Sequence, residues 1–343
     1  MKAAWQKYRL DFRFTAITSR DSLTTKDTYY IKVWDECQPE VVGIGEAALF
    51  RGLSCDDVPE YEQVLDDVCK HIDRYVGDAS ALAPYPSIRF GVETAVRDLT
   101  RGGKKHLYDS AWTDGESSIE INGLIWMGDR ETMSERINAK LNEGFRCIKV
   151  KIGGIDFNQE LELLRHLRAM APSIEIRLDA NGAFHPDNAL KHLDTLSAIG
   201  IHSIEQPIRQ GQWSEMARIC AQSPIPVALD EELIGLNDAD VRARMLDTIR
   251  PAYIILKPTL IGGVQASEEW ISAARERGIG WWATSALESN IGLNAIAQWV
   301  ATQDTDMPQG LGTGQLYYNN VASPLTLTGD RLRYDTSKPW SNI

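Results

Sequence analysis

From about residue 117 onward, short apolar runs alternate with amphipathic stretches, and this alternation constrains the fold more than any other feature. Runs such as IEINGLI, CIKVKI, IEIRLDA and YIILKPT are typical of buried strands, and stretches such as DFNQELELLRHLRAM follow a helical period. Strands alternating with helices predict parallel βαβ units. Seven or eight units, with a weak eighth near PQGLGTG, favour a closed barrel over an open sheet. We therefore predict an α/β fold with a TIM-like (β/α)7β barrel over residues 116–315.

The chain before this region has a different rhythm. Strand-like runs at YRLDFRFTAI, TYYIKVWDE and VVGIGEAAL are followed by helical patterns at roughly 57–73 and 86–100, which predicts an α+β domain over residues 1–115. The Ser-, Thr- and Asp-rich stretch 18–27 reads as an exposed loop. The tail 316–343 contains SPLTLTGDRLRY, which we interpret as a strand pair that returns to the first domain.

Charge and composition exclude several classes of function. A net charge of −12 argues against a nucleic-acid partner or an anionic membrane surface, because both require clustered cations. No apolar run reaches the roughly 18 residues of a membrane span, and the N-terminus lacks the apolar block of a signal peptide. The five cysteines lack CxxC spacing, which favours reduced thiols in the cytoplasm over disulfides or a zinc site.

Charged side chains stand at the ends of five successive apolar runs. They are Lys149 and Lys151, Asp179, Glu205, Asp230 and Lys257. From Lys151 onward their separations are 28, 26, 25 and 27 residues, which is one βα unit each time. Because the C-terminal ends of barrel strands converge on one mouth, we predict that these side chains surround a single cavity.

Three carboxylates and three ammonium groups around one cavity indicate a particular chemistry. Single carboxylates on adjacent strands suit a hard cation such as Mg²⁺, and the histidines of a zinc hydrolase are absent from these strand ends. Ammonium groups crowded on one strand lower one another's pKa, which a lysine base working at neutral pH requires. A metal held between two lysines suits removal of a proton next to a carboxylate, with stabilisation of the resulting enediolate.

Each residue taken singly also has an ordinary interpretation. Asp179 or Asp230 could cap the next helix, Glu205 could be a turn residue, and the lysines could simply pair with carboxylates or, for Lys257, lie in a surface loop. A catalytically silent barrel that binds small anions or serves as an assembly subunit is the alternative that does not involve an enzyme. Regular spacing of all six residues favours the enzyme.

At these residues the chain resembles the enolase superfamily, in particular its muconate-lactonizing-enzyme-like subgroup. That subgroup carries a KxK motif (here KVK), then Asp, Glu and Asp metal ligands, then a lysine on the sixth barrel strand. The mandelate-racemase subgroup needs a late His–Asp pair, and no histidine lies beyond position 202. The resemblance implies that Asp179, Glu205 and Asp230 bind Mg²⁺ and that Lys151 moves the proton. It also implies that Lys257 stabilises the planar intermediate, that Lys149 tunes Lys151, and that the first domain caps the barrel.

Four further stretches, RFGVETAVRDL, INGLIWMG, TSALESNIGLNAIAQW and GLGTGQLYYNN, are similar to subgroup members that act in menaquinone biosynthesis. Those members are lyases that dehydrate 2-succinyl-6-hydroxy-2,4-cyclohexadiene-1-carboxylate to 2-succinylbenzoate. The resemblance implies that Ser285, Ser289, Gly312 and Gly314 hold the succinyl arm and that loop 18–27 closes over the mouth. An N-acylamino-acid racemase or a dipeptide (L-Ala-D/L-Glu) epimerase remains the alternative, and the oligomeric state remains open.

Overall fold

A computed structural model describes residues 1–17 and 22–342. An antiparallel sheet and three helices form the N-terminal domain. The sheet has the order β1-β2-β3, and its elements and the helices are β1 (Lys2–Ile17), β2 (Ser22–Asp35), β3 (Gln38–Ala47), α1 (Tyr61–Lys70), α2 (Ile72–Gly77) and α3 (Pro86–Thr100). The predicted strands are confirmed, and the second predicted helix has the bounds of α3.

The predicted loop 18–27 is wrong over residues 22–27, which belong to β2. Lys26 and Asp27 pair with Leu10 and Arg9 of β1 in a continuous antiparallel register. The Ser- and Thr-rich composition therefore marks an exposed strand rather than a loop, because β-branched Thr suits a strand. Positions 18–21 lie outside the described residues.

Two glycines explain how α3 packs on the sheet. A Cβ atom at Gly45 would lie 2.0 Å from the carbonyl oxygen of Gly91, and one at Gly43 would lie 2.1 Å from the carbonyl oxygen of Ala95. The helix backbone thus rests directly on β3, which only residues without a side chain permit. The apolar core of this domain forms on the same side of the sheet, with Ile31 and Val92 among its buried members.

Seven parallel strands form the barrel. In spatial order they are β5 (Gly123–Ile125), β6 (Cys147–Lys151), β7 (Glu175–Asp179), β8 (Ser203–Glu205), β9 (Val227–Leu229), β10 (Tyr253–Leu256) and β11 (Gly280–Ala283). Gln309 and Gly310 complete the ring, since Gln309 accepts from the Asn122 N–H at 3.0 Å and the Gly310 N–H donates to Ala283 at 2.8 Å. The predicted (β/α)7β barrel is confirmed, with its weak eighth strand reduced to these two residues.

Helices on the outside connect the strands. They are α4 (Arg130–Asn142), α5 (Phe157–Met170), α6 (Pro186–Ser197), α7 (Trp213–Gln222), α8 (Ala239–Ile249), α9 (Pro258–Ile261), α10 (Gly263–Arg275) and α11 (Asn290–Val300), with short 3₁₀ turns at Ala79–Leu82, Glu231–Leu233 and Gly312–Gln315. Asp129, Asp156 and Asp238 cap α4, α5 and α8 through their side chains. None of the helices in the described ranges has the length and apolarity that a membrane crossing needs.

The C-terminal tail divides into two parts. Its first residues lie on β1, where the Tyr318 N–H donates to Asp11 at 2.9 Å and the Tyr8 hydroxyl donates to Asn319 at 2.7 Å. The hairpin of β12 (Leu325–Thr328) and β13 (Arg331–Tyr334) pairs through β13 with β4 (Ile119–Glu120), which precedes the first barrel strand. The hairpin also contacts a residue of the predicted first domain, because Trp112 Nε1 donates to the Leu332 carbonyl oxygen at 2.9 Å. The return of the tail to that domain therefore stays a prediction. The domain boundary at residue 115 remains a prediction.

Candidate active site

The site lies at the C-terminal ends of adjacent barrel strands, where the strand register sets the charged side chains level with one another. Lys151 of β6 is the Cα partner of Asp179 on β7, and Asp179 is the partner of Glu205 on β8. Side chains alternate between the two faces of a strand, so Lys149 and Lys151 both face the barrel axis. Both lysines are buried, each with 8% of its surface exposed.

Direct ion pairs connect the predicted residues. The Nζ atom of Lys149 lies 3.0 Å from Asp179 Oδ2 and also contacts Glu205 Oε2. Lys151 Nζ lies 2.9 Å from the same Asp179 oxygen. Across the mouth, Lys257 Nζ contacts Asp230 Oδ2, which is buried at the end of β9. The structure therefore brings all six residues into one cluster.

This geometry decides between the ordinary interpretations. Helix α6 is capped by His185 rather than Asp179, and Asp230 makes no side-chain capping bond, so the helix-cap alternative is wrong for both aspartates. The Lys257 side chain is 13% exposed and does not lie in a surface loop. Pairing of the lysines with carboxylates does occur, but within a shared cluster instead of at scattered surface positions.

The carboxylates change the pKa values in a direction that the sequence did not predict. Burial by itself lowers the pKa of Lys149, but the charges of Asp179 and Glu205 outweigh it and raise the pKa above its usual value. The pKa of Lys257 is raised in the same way by Asp230 and Glu205 against its burial. The expected mutual lowering is therefore wrong for Lys149, because its nearest charged partners are carboxylates.

Two residues with unusual backbone geometry support the cluster. Asn181 has φ +44° and accepts from Lys151 Nζ at 2.8 Å, while its N–H donates to Asp179 at 3.1 Å. Gln206 has φ +41°, and its Oε1 accepts from the Asp230 N–H at 3.2 Å. Non-glycine residues with positive φ cost free energy and concentrate at functional sites. Our sequence reasoning missed both, although Asn181 directly follows the quoted run IEIRLDA and Gln206 directly follows Glu205.

The carboxylates fit a divalent cation by their chemistry. Asp179, Glu205 and Asp230 supply hard oxygen donors from adjacent strands, and Glu205 Oε1 is buried with no hydrogen-bond partner. Burial together with the charge of Asp179 raises the pKa of Glu205, so a nearby positive charge would stabilise the ionised form. Within residues 1–17 and 22–342, no three His, Cys, Asp or Glu side chains lie close enough together to hold a metal ion. Lys149 contacts the Glu205 carboxylate and Lys257 contacts the Asp230 carboxylate.

A cavity of about 390 Å³ opens above the cluster, between the two domains. Lys149, Lys151 and Lys257 line its inner end. Its walls are largely apolar and come from both domains, with Phe14, Phe50, Leu53, Leu124, Trp126, Leu287 and Leu316 among them. A pocket with a charged end and apolar walls suits a small molecule that carries a carboxylate on a ring or chain.

The four predicted arm-binding residues divide between two places. Ser285 and Gly312 line this cavity, although the Ser285 hydroxyl already donates to Glu288 at 2.5 Å. Ser289 does not line it, because its side chain caps α11 and donates to Glu46 at 2.6 Å. Gly314 lines a neighbouring cavity of about 300 Å³.

Comparison with known proteins shows the family. The family model described as "Enolase C-terminal domain-like" matches residues 132–336. The chain belongs to this family. Among curated members, the o-succinylbenzoate synthase of Desulfotalea psychrophila is 46% identical, with 97% of this chain and 98% of the relative aligned. An L-amino acid-D/L-Glu epimerase of Sulfurimonas denitrificans is 24% identical over 79% of this chain and 80% of that protein.

Solved structures agree with this fold. The crystal structure of MenC from Desulfotalea psychrophila superposes with a TM-score of 0.86 at 44% identity, covering 97% of this chain and 99% of that one. A muconate lactonizing enzyme from Pseudomonas fluorescens, complexed with muconolactone, superposes with a TM-score of 0.80 at 20% identity, covering 100% and 96%. At that identity the likeness extends to the fold alone.

Proposed function

We propose that this protein is an o-succinylbenzoate synthase, a lyase that dehydrates 2-succinyl-6-hydroxy-2,4-cyclohexadiene-1-carboxylate to 2-succinylbenzoate. The observation that carries the proposal is the joint placement of Lys151 and Lys257 in one pocket with the carboxylate cluster between them. The curated o-succinylbenzoate synthase that is 46% identical over nearly the full length supports the choice of reaction.

Lys151 is the base in this mechanism. Its amine would remove the proton next to the ring carboxylate, which leaves an enediolate, and the resulting ammonium would then protonate the departing hydroxide. The C–O bond breaks, water leaves and the ring becomes aromatic. Asn181 and Asp179 fix the position of Nζ through contacts of 2.8 and 2.9 Å, so the proton returns to the same face from which it was taken.

Lys257 and Lys149 supply charge without moving the proton. Lys257 enters the pocket from β10, across the mouth from β6, and its ammonium would lie against the planar intermediate in a cation–π contact. Lys149 lies between Asp179 and Glu205 and would contact an oxygen of the ring carboxylate. A positioned base contributes about 10²–10⁴-fold, so electrostatic stabilisation must supply most of the remaining rate enhancement.

Mg²⁺ is the cofactor that we propose, with Asp179, Glu205 and Asp230 as its ligands. When bound, it would supply positive charge where the enediolate oxygens develop negative charge. With the carboxylates engaged as ligands, their negative charge would be shared with the cation and would stabilise the protonated lysines less. Burial and the remaining positive charges would then favour the neutral amine that a base requires.

We further propose that the protein works in the cytoplasm on a free carboxylate substrate, with no nucleic acid or membrane as partner. All five cysteines are free thiols, which supports a reducing compartment. Its oligomeric state stays open.

The decisive experiment follows aromatic product in the ultraviolet from the cyclohexadiene substrate, with Mg²⁺ and with a chelator. We expect turnover that depends on the metal and is restored when Mg²⁺ is added back. In parallel, an N-succinyl amino acid is incubated in deuterated water. Absence of dehydration, with fast deuterium exchange into the amino acid, would refute the proposal and favour the racemase or epimerase alternative, in which Lys151 and Lys257 act on opposite faces.

A further inference from the structure

We infer that Arg136 binds a second carboxylate of the substrate, at the wall of the pocket that α4 forms beside Trp126, and so selects for a dianion. The inference deepens the proposed function and rests on it. It assigns the terminal carboxylate of the succinyl arm to a residue of α4, the helix that follows the first barrel strand.

The side chain of Arg136 turns from the outer helix back toward the mouth of the barrel. Its Nη1 donates to the carbonyl oxygens of Trp126 at 2.8 Å and Met127 at 2.9 Å, and both residues follow directly after β5. The guanidinium also lies over the ring of Phe14 from the first domain, with 5.5 Å between Cζ and the ring centroid. These contacts fix the position of the cation at the wall of the cavity.

Arg136 is a partly buried cation without a carboxylate partner in the described ranges. Its hydrogen bonds there are those of Nη1 to the two carbonyls, so Nε and Nη2 stay available to a ligand. Burial lowers the pKa of Arg136, and the charge of Asp129 offsets this only in part. Lys140, which also lines the cavity, differs because Glu143 pairs with it at 2.6 Å. A partly desolvated guanidinium with free donors attracts an anion.

The separation of the two cationic ends suits one substrate molecule. Trp126 contacts both ends, since its carbonyl accepts from Arg136 and its ring centroid lies 5.7 Å from Lys151 Nζ. The Arg136 guanidinium and the Lys151 ammonium group thus lie on either side of the single residue Trp126, whose apolar ring forms part of the wall between them. A ring that carries a carboxylate at the lysines and a four-carbon arm that ends in a carboxylate spans such a distance. The planar fork of arginine matches a carboxylate in two parallel hydrogen bonds.

Measuring the affinities of two ligands for the wild type and three variants tests this inference. Two ligands are titrated calorimetrically in the presence of Mg²⁺: 2-succinylbenzoate, a dianion, and 2-butanoylbenzoate, whose arm ends in a methyl group. They are compared on wild type, Arg136→Met, Arg136→Lys and the control Arg130→Met. Arg130 is on the same helix but pairs with Glu162 on the exposed surface.

We expect Arg136→Met to weaken the binding of 2-succinylbenzoate by about 10–100-fold, which is less than for a fully buried pair because the site is partly open. The same variant should change the affinity for 2-butanoylbenzoate by less than about 3-fold. Arg136→Lys should have an intermediate affinity for 2-succinylbenzoate, and Arg130→Met should bind both ligands as the wild type does. In turnover, KM should rise while kcat changes little, because the lost contact exists before and during the reaction.

Equal weakening of both ligands would overturn the inference, because it would mean that Arg136 only supports the Trp126–Met127 backbone. No change for either ligand would overturn it as well. Failure of the proposed function gives a separate signal: wild type would then form no aromatic product from the cyclohexadiene. A wild type that binds neither ligand would overturn both.

Discussion

Replacement of Glu46 tests how the first domain holds the active-site loop of the barrel. Glu46 is on β3 and is fully buried. Its Oε1 accepts from the Thr28 hydroxyl at 2.7 Å and the Ser289 N–H at 2.8 Å, and its Oε2 accepts from the Ser289 hydroxyl at 2.6 Å and the Gly292 N–H at 2.8 Å. One carboxylate from the first domain thus satisfies the first turn of α11, directly after the loop that lines the pocket.

The magnitude follows from these four bonds. Hydrogen bonds to a charged group contribute about 1.5–3 kcal/mol each, but removal of the carboxylate also removes its own cost of burial. We therefore expect Glu46→Ala to destabilise the fold by about 3–5 kcal/mol, as for the loss of one partner from a buried charged network. Glu46→Gln presents an amide NH₂ to at least one donor, and leaving that donor unpaired costs about 1–3 kcal/mol.

Urea unfolding, followed by tryptophan fluorescence, measures this difference. Glu40→Ala is the matched control, because Glu40 is on the same strand and exposed, and we expect a change within about 0.5 kcal/mol. Activity should also fall for Glu46→Ala, since Ser285 and Leu287 of the loop line the cavity. Loss of a partner from a buried charged network should cost more than about 1 kcal/mol. If the free energies of unfolding of Glu46→Ala and Glu40→Ala differ by less than this, the reasoning is refuted.

Lys151→Ala should lower dehydration by about 10²–10⁴-fold, measured by product absorbance; retained turnover would exclude this base. Burial raises the pKa of Asp56 to about 6 despite its bonds to Ser87, so the native state keeps a proton that the unfolded state releases near pH 4. Stability should fall by at most about 3 kcal/mol as pH rises from 4 through 6, and Asp56→Asn should flatten this urea-unfolding profile. Gly45→Ala should cost at least about 3 kcal/mol, since the new Cβ meets backbone at 2.0 Å, whereas Gly77→Ala meets nothing within 4 Å; equal midpoints in thermal unfolding would contradict this.

Strand periodicity explains why the cluster could be predicted from the sequence. Lys149 and Lys151 are two residues apart on one strand and must share a face, and Asp179, Glu205 and Asp230 each end a strand one βα unit further along. Adjacent parallel strands bring these ends together, and this does not depend on the conformation of the connecting loops. The sequence therefore contained the geometry of the charged cluster, although not the ion pairs within it.

Contacts between distant segments explain what could not be predicted. The Glu46–Ser289 pair joins residues 243 apart, and no local pattern marks a strand glutamate as the partner of a helix cap. The hairpin β12–β13 has a clear strand signal, but its partner strand is decided by which edge is open in the folded barrel. Arg136 reads as an ordinary helical arginine until its contact with Trp126 turns it toward the pocket.

The charges of the cluster connect the binding of a cation by its carboxylates with the protonation of its lysines. Three ammonium groups and three carboxylates, those of Lys149, Lys151, Lys257, Asp179, Glu205 and Asp230, balance to zero when all are ionised. A divalent cation and one substrate carboxylate together add one positive charge to this buried set. Loss of a proton from one ammonium group restores neutrality, and an uncompensated buried charge is costly. The carboxylates raise the pKa values of Lys149 and Lys257. By engaging a cation, the same carboxylates would favour loss of one proton from the cluster at the moment when the substrate arrives.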